Sequence, residues 1–92
     1  MSVVILGGNE CMKRRYCDTC FRYGCRAKVF CKPSKDINKR IGNPDLLILF
    51  THTISHKLMQ SAMVKISADT KVVRSHTSSL ASLQSILQES TG

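Results

Sequence analysis

The sequence predicts an α/β fold, a single domain over residues 1–92 built on a four-stranded parallel sheet. Apolar strand patterns alternate with amphipathic helical patterns four times along the chain. The most apolar run, DLLILF at residues 45–50, is continuous rather than alternating, as is typical of a strand buried on both faces. Right-handed crossovers between consecutive strands make 2-1-3-4 the simplest strand order.

Three further strands flank this central one. Residues 2–6 form a short apolar strand that ends at Gly7 and Gly8, which allow a tight turn. Residues 25–31 alternate, with Ala27, Val29 and Cys31 on one face and Arg26, Lys28 and Phe30 on the other. This pattern, charged on one side, suits an edge strand. Residues 71–75 complete the sheet.

Four helices are predicted from capping residues and apolar stripes. Asn9 caps a helix that runs to Tyr23 and stops at Gly24, and a short basic helix covers residues 35–41. Ser55 caps a helix over residues 56–68, and Ser78 or Ser79 caps the last one, which ends in a frayed tail at residues 89–92. The expected inward-facing residues are Met59, Ala62, Met63 and Ile66 in the third helix and Leu80, Leu83, Ile86 and Leu87 in the fourth.

The formal net charge is +8, and it is concentrated in the first half of the chain. Residues 1–44 hold ten Lys and Arg against three acidic residues, whereas residues 45–92 hold four against three. A basic half attracts phosphates, heme propionates, nucleic acid or an acidic protein, although two Tyr, three Phe and no Trp offer few stacking surfaces for single strands. A solvated face that serves solubility alone is the alternative.

The sequence also predicts the cellular compartment. No run approaches the ~18 apolar residues of a membrane span, and Met1 leads directly into a strand pattern without a signal-peptide leader. We therefore expect a cytoplasmic protein without membrane contact. Its five cysteines should then be reduced, metal-bound or redox-active rather than a disulfide framework.

The strand order predicts where a ligand binds. Ligands of such sheets lie at the carboxyl ends of the strands beside the switch point, here between the first and third strands. The imidazoles of His52, His56 and His76 all fall near that edge, and Cys11 lies in the expected first turn of a helix, where the dipole and nearby arginines favour thiolate. Cys11, His52 and His56 are the predicted metal ligands, with His76 added for a cofactor such as heme or another iron or transition-metal group.

An anion site is the alternative for the same edge. Gly7, Gly8 and Asn9 feed helix N-terminal amides toward an anion, although for this motif alone a tight turn that binds nothing is the slightly favoured interpretation. The loop RSHTSS adds the hydroxyls of Ser75, Ser78 and Ser79, with Arg74 beside them. These residues would hold phosphate or a nucleotide in a regulatory module.

The remaining cysteines indicate packing or an interface. Cys20 lies on the core-facing stripe of the first helix, whereas Cys17 and Phe21 lie on another face. The other residues of that stripe are Met12, Tyr16, Thr19 and Tyr23. The candidates for redox chemistry or for a homodimer interface are Cys17, Cys20, Cys25 and Phe21. A thiol-dependent enzyme, with Cys11 as nucleophile and a histidine base, ranks third because Glu10 is the only acid nearby. Whether the protein is an enzyme stays open, with a binding or sensing role favoured.

Several motifs resemble a family of small bacterial proteins catalogued as a domain of unknown function. They are Gly7-Gly8-Asn9, Tyr16, Tyr23-Gly24-Cys25, Ala27-Lys28-Val29-Phe30, IGNPDLLILFT, Ser55-His56-Lys57 and RSHTSSL. The resemblance covers nearly the whole chain and implies a Rossmann-like or flavodoxin-like domain and a homodimer. Cys20 and Cys25 lie where the family has cysteines, whereas Cys11, Cys17 and Cys31 fall outside its usual pattern.

Overall fold

The computed structural model describes residues 1–32, 36–64 and 66–91. Its strands are β1 (Ser2–Leu6), β2 (Arg26–Phe30), β3 (Leu46–Phe50) and β4 (Lys71–Ser75), and its helices are α1 (Lys13–Arg22), α2 (Ile37–Ile41), α3 (His56–Met63) and α4 (Leu80–Thr91). The strands pair in parallel in the order β2-β1-β3-β4. The predicted Rossmann-like α/β arrangement is therefore confirmed.

The sheet separates two apolar layers. On one face, Ile5 and Ile48 pack with Tyr16 of α1 and Leu83 of α4. On the other face, β1 and β3 pack against α2 and α3. Every residue of β3 is buried, which is why the DLLILF run carries no alternation.

The turn after β1 is held by close packing. Gly7 and Gly8 have φ of +92° and +85°, a region that residues with a side chain rarely adopt. A Cβ atom on Gly8 would lie 2.9 Å from Tyr16 Cε2 and 3.2 Å from Phe50 Cδ2. The hydroxyl of Tyr16 in turn donates to the carbonyl of Ser78 at 2.7 Å, so this contact also fixes the loop after β4.

The first helix begins later than predicted. Asn9 caps a 3₁₀ turn (Glu10–Met12), its Oδ1 accepting from the Cys11 amide at 3.0 Å, and α1 starts only at Lys13. Cys11 therefore lies outside the first turn of the α-helix. The predicted inward stripe of this segment is confirmed, with Tyr16 and Cys20 buried and Tyr23 packed beside them.

Three other boundaries differ from prediction. β2 excludes Cys25 and Cys31, which flank it, and α2 begins at Ile37; Lys35, part of the predicted helix, lies outside the described residues. The tail is helical to Thr91 rather than frayed from Glu89, because the hydroxyl of Thr91 donates to the Leu87 carbonyl at 2.7 Å.

The third helix is shorter and rotated relative to the prediction. It ends at Met63 rather than residue 68, and its buried residues are Leu58 and Ala62. Of the predicted stripe, Ala62 is buried and Met59 and Ile66 are half-buried against the same layer, whereas Met63 is 38% exposed and was wrongly placed. The buried Leu58 is the better apolar partner for the sheet, and it turns Met59 toward the edge of β4.

The five cysteines are unpaired. Cys20 and Cys25 are buried in the α1–β2 layer, as predicted for Cys20. Cys17 is half-buried, with Sγ 4.0 Å from the Ala27 carbonyl, whereas Phe21 is 79% exposed. Of the predicted Cys17–Phe21 surface, only Phe21 is therefore largely exposed. The homodimer stays a prediction.

Within the described ranges, no helix has the length and apolar character needed to cross a bilayer.

Replacing Gly8 by Ala should destabilise the fold by about 2–4 kcal/mol, since it combines the strain of positive φ with overpacking against Tyr16. Gly24→Ala is the matched control, because φ there is +73° but nothing lies within 4 Å of an added Cβ. Urea unfolding should give Gly8→Ala a much lower free energy of unfolding than Gly24→Ala. Equal losses would mean that backbone strain, and not the contact with Tyr16, explains the glycine.

Burial in the core, with Cys25 and Cys17 beside it, raises the pKa of the Cys20 thiol to about 12. Above pH 9 the unfolded chain releases this proton while the native state keeps it. The free energy of unfolding should therefore fall as pH rises, by at most about 1.4 kcal/mol per pH unit from this group. Cys20→Ala should flatten the slope measured between pH 9 and 11, whereas Cys11→Ala, at an exposed position, should keep it. An unchanged slope in Cys20→Ala would contradict the assignment.

Candidate functional site

The loops that follow the strands interlock at the carboxyl edge of the sheet. The amide of Gly8 donates to Thr53 Oγ1 at 2.7 Å, which ties the loop after β1 to the loop after β3. Thr51 Oγ1 donates to the Ser75 carbonyl at 3.2 Å and ties the loop after β3 to the end of β4. Three of the four strand ends therefore form one connected surface.

The predicted crevice between β1 and β3 is filled by protein. The Gly7–Gly8 turn lies against Tyr16, Phe50 and Ile54, and the Gly7 amide donates to the Phe30 carbonyl at 2.9 Å. Because the amides of both glycines already donate within the protein, the turn has a structural explanation. The side chain of Asn9 is likewise engaged, since it caps the 3₁₀ turn.

The serines after β4 also serve the local structure. Ser79 Oγ accepts from the Ser82 amide at 3.2 Å, so Ser79 caps α4. Ser75 Oγ donates to the Thr77 carbonyl at 2.9 Å, and the Ser78 carbonyl accepts from Tyr16. Loop closure and N-capping therefore engage the hydroxyls of Ser75 and Ser79, and Ser78 is held through its carbonyl.

The three histidines lie along this edge in separate surroundings. His76 Nδ1 is 3.4 Å from Thr51 Oγ1, and His56 Nε2 is 3.0 Å from Gln60 Nε2. His52 is exposed in the turn after β3. Across residues 1–32, 36–64 and 66–91, no group of three or more His, Cys, Asp and Glu side chains could hold a metal ion. Cys11, His52 and His56 are thus not brought together as one ligand set.

Burial also makes two of the thiols, those of Cys20 and Cys31, poor metal ligands. The pKa of Cys31 is raised, chiefly by burial, and its Sγ lies 3.5 Å from the Gly7 carbonyl. With the pKa of Cys20 at about 12, both thiols favour the protonated form, whereas metals and electrophiles react with thiolate. Cys11 is the exposed thiol at the loop edge.

A cavity of about 330 Å³ lies instead between the ends of β3 and β4 and the start of α3. It is lined by Thr51, Ile54, His56, Met59 and Arg74. Arg74 pairs in register with Leu49, whose side chain belongs to the α2–α3 layer, so Arg74 extends on the α3 face of the sheet. Because β4 is the edge strand, this guanidinium stays exposed.

The cavity is bordered by the N-terminus of α3. Ser55 Oγ accepts from the Leu58 amide at 3.1 Å, which confirms the predicted cap. The N–H groups of His56 and Lys57 precede it in the first turn, where no helical carbonyl can reach them. An anion here would meet the positive end of the helix dipole together with Arg74.

Sequence reasoning had located this edge but not the lining of the cavity. His56 is the one lining residue that was also a predicted ligand. Arg74 was placed only beside the serine loop, and Thr51 and Met59 were not predicted to line a site. Two signals could have identified these lining residues. The parallel register puts every second residue of β4 on the α3 face of the sheet. The buried face of α3 is also rotated by one residue, so that Leu58 is its core residue.

Comparison with known proteins identifies the family. No curated protein and no solved structure matches the chain. Residues 2–90 match the model of a family described as "Uncharacterized protein conserved in bacteria (DUF2325)". Since the match spans nearly all of its 92 residues, the chain belongs to this family of bacterial proteins.

Proposed function

We propose that the protein is a binding module for a phosphate-type anion, either free or as the phosphate group of a small ligand. The observation that carries the proposal is the exposed guanidinium of Arg74, which lines the 330 Å³ cavity beside the N-terminus of α3. A guanidinium matches two phosphate oxygens with a pair of N–H donors, and helix amides add further donors.

The other lining groups suit the same ligand. None of the described lining residues is acidic, so no carboxylate competes with an anion for Arg74. The Gln60 amide donates to His56 Nε2, which leaves the ring Nδ1–H as a donor. Ile54 and Met59 supply an apolar wall against which the nonpolar part of a phosphorylated ligand can pack.

We place this activity in the bacterial cytoplasm. Five unpaired thiols in a chain of 92 residues suit a reducing compartment, where disulfides are rare. A binding role also fits the small cavity better than an enzymatic one, because the exposed Cys11 thiol is not among its lining residues.

Heme is the second candidate, and one observation favours it. His56 and Met59, one helical turn apart, line the same cavity, and imidazole and thioether are both axial ligands of heme iron. Heme needs only one or two protein ligands, whereas a metal held by protein alone needs more donors than the described residues bring together. We rank the predicted binding of heme or another transition-metal cofactor below the binding of an anion.

The anion proposal predicts ligand-dependent stability that requires Arg74. At a hundredfold excess over Kd, a native-state ligand adds about 2.7 kcal/mol, which in a domain of this size raises Tm on the order of 10 °C. A screen of phosphate, sulfate and phosphomonoesters should give such a rise in the wild type and little in Arg74→Gln.

Lys71→Gln is the matched control, because it removes one exposed charge from the opposite end of β4. It should keep the response. A wild type that responds to no anion, or an Arg74→Gln variant that responds as the wild type does, would contradict the proposal.

The heme proposal predicts a Soret band on titration of the purified protein with hemin. His56→Ala should shift or abolish the band, while Cys11→Ser, His52→Ala and His76→Ala test the other three ligands predicted for heme. Circular dichroism should show an intact fold in each variant, since these side chains are exposed. Absence of a band above that of free hemin, or an identical band in all variants, would exclude heme.

A further inference from the structure

The outer strand β2 presents positive charge where a parallel sheet is normally covered. Parallel strands usually carry helices on both faces. On the α2 side of β2, Phe30 is buried, whereas Arg26 and Lys28 are exposed, because α2 is only five residues long and covers just one end of the strand. This part of the sheet is open to solvent.

Beside it lies a cavity of about 380 Å³, lined by Lys28, Val29, Phe30 and Arg40. Both cations in it are held in place. Lys28 Nζ donates to the Arg40 carbonyl at 3.0 Å, at the negative end of α2. The guanidinium carbon of Arg40 lies 5.6 Å from the ring centroid of Phe30, a cation–π distance.

No carboxylate in the described part of the chain forms an ion pair with these cations. Among the described residues one ion pair forms, between Lys32 Nζ and Glu10 Oε1 at 3.6 Å, and it involves neither Lys28 nor Arg40. The helix carbonyl uses one N–H of the Lys28 ammonium and leaves two for another acceptor. The strand order also brings the basic half of the sequence to this edge of the sheet.

We propose that this cavity is a nucleotide site, separate from the Arg74 cavity and independent of the function proposed for it. Lys28 binds the phosphate, and Arg26, exposed on the same face of β2 but outside the lining, adds positive charge nearby. Arg40 rests on Phe30 with one face and offers the other to a nucleobase, as guanidinium planes do in single-strand recognition. The shared chemistry is one nucleotide unit, either free or within a single strand.

Isothermal titration with AMP, ribose 5-phosphate, inorganic phosphate and a short oligo(A) tests the site in the Arg74→Gln protein, in which the other proposed phosphate site lacks its guanidinium. Each further variant is made in this background. We expect AMP to bind at least fivefold more tightly than ribose 5-phosphate, because only AMP can stack on Arg40. Lys28→Gln should weaken AMP and ribose 5-phosphate alike, by about tenfold. Arg40→Lys keeps the charge and should abolish the preference for AMP.

Oligo(A) separates the two sources of the ligand. Binding far tighter than that of AMP, with a steep loss as salt rises, assigns the site to single strands, whereas binding equal to that of AMP assigns it to free nucleotides. Lys71→Gln, on the opposite edge strand, removes the same charge and should leave every affinity unchanged.

Three results would overturn the proposal. The first is the absence of AMP and oligo(A) binding at millimolar concentration in the folded Arg74→Gln protein. The second is an equal loss of affinity in Lys71→Gln and Lys28→Gln, which would indicate net charge alone. The third is binding of a poly-glutamate peptide that is as tight as binding of an oligo(A) of equal charge. Arg74→Gln should leave AMP binding at the β2 cavity intact. The absence of binding at one cavity can therefore be distinguished from its absence at the other.

Discussion

The contact of the Gly7–Gly8 turn with Tyr16 and Phe50 determines the arrangement of the carboxyl edge. It lets β1 end directly against the aromatic pair, whose ring centroids are 5.5 Å apart. The Tyr16 hydroxyl then fixes the loop after β4 through the Ser78 carbonyl. A single packing contact thus joins α1, β1, β3 and the start of α4, and it closes the position between β1 and β3 where ligands of such sheets commonly bind. The two cavities described above lie where this contact does not reach, beside the two edge strands.

The fold was predictable because its signals are local and strong. The continuous apolar run at β3 needs two covered faces, and the alternation in β2 suits an edge, so the strand order follows from few choices. The errors lie where two residues compete for one role. Leu58 and Met59 are adjacent and both apolar, and only packing against the sheet decides that Leu58 is buried. Cys11 was placed in a helical turn because Asn9 is a good cap, but that cap closes a 3₁₀ turn.

The candidate site was less predictable, for a physical reason. Topology brings loops to one edge, but it does not bring side chains within bonding distance of each other. His52, His56 and His76 do share the edge, and yet each has its own surroundings: an exposed turn, Gln60 and Thr51. Arg74 and Arg40, by contrast, lie in regular elements and match no short motif. Their importance comes from which face of the sheet or helix they occupy, which the register decides.

The two proposed anion sites use opposite ends of helices. At α3 the ligand would meet the positive N-terminus directly, and Arg74 adds charge from the neighbouring edge strand. At α2 the cavity lies at the negative C-terminus, which alone would repel an anion. The Lys28 ammonium binds the Arg40 carbonyl there and reverses the local potential, while Phe30 holds the guanidinium beside it. Positive charge at both edges therefore follows from the side chains that the edge strands carry, because only edge strands leave a charged residue of the sheet exposed to solvent.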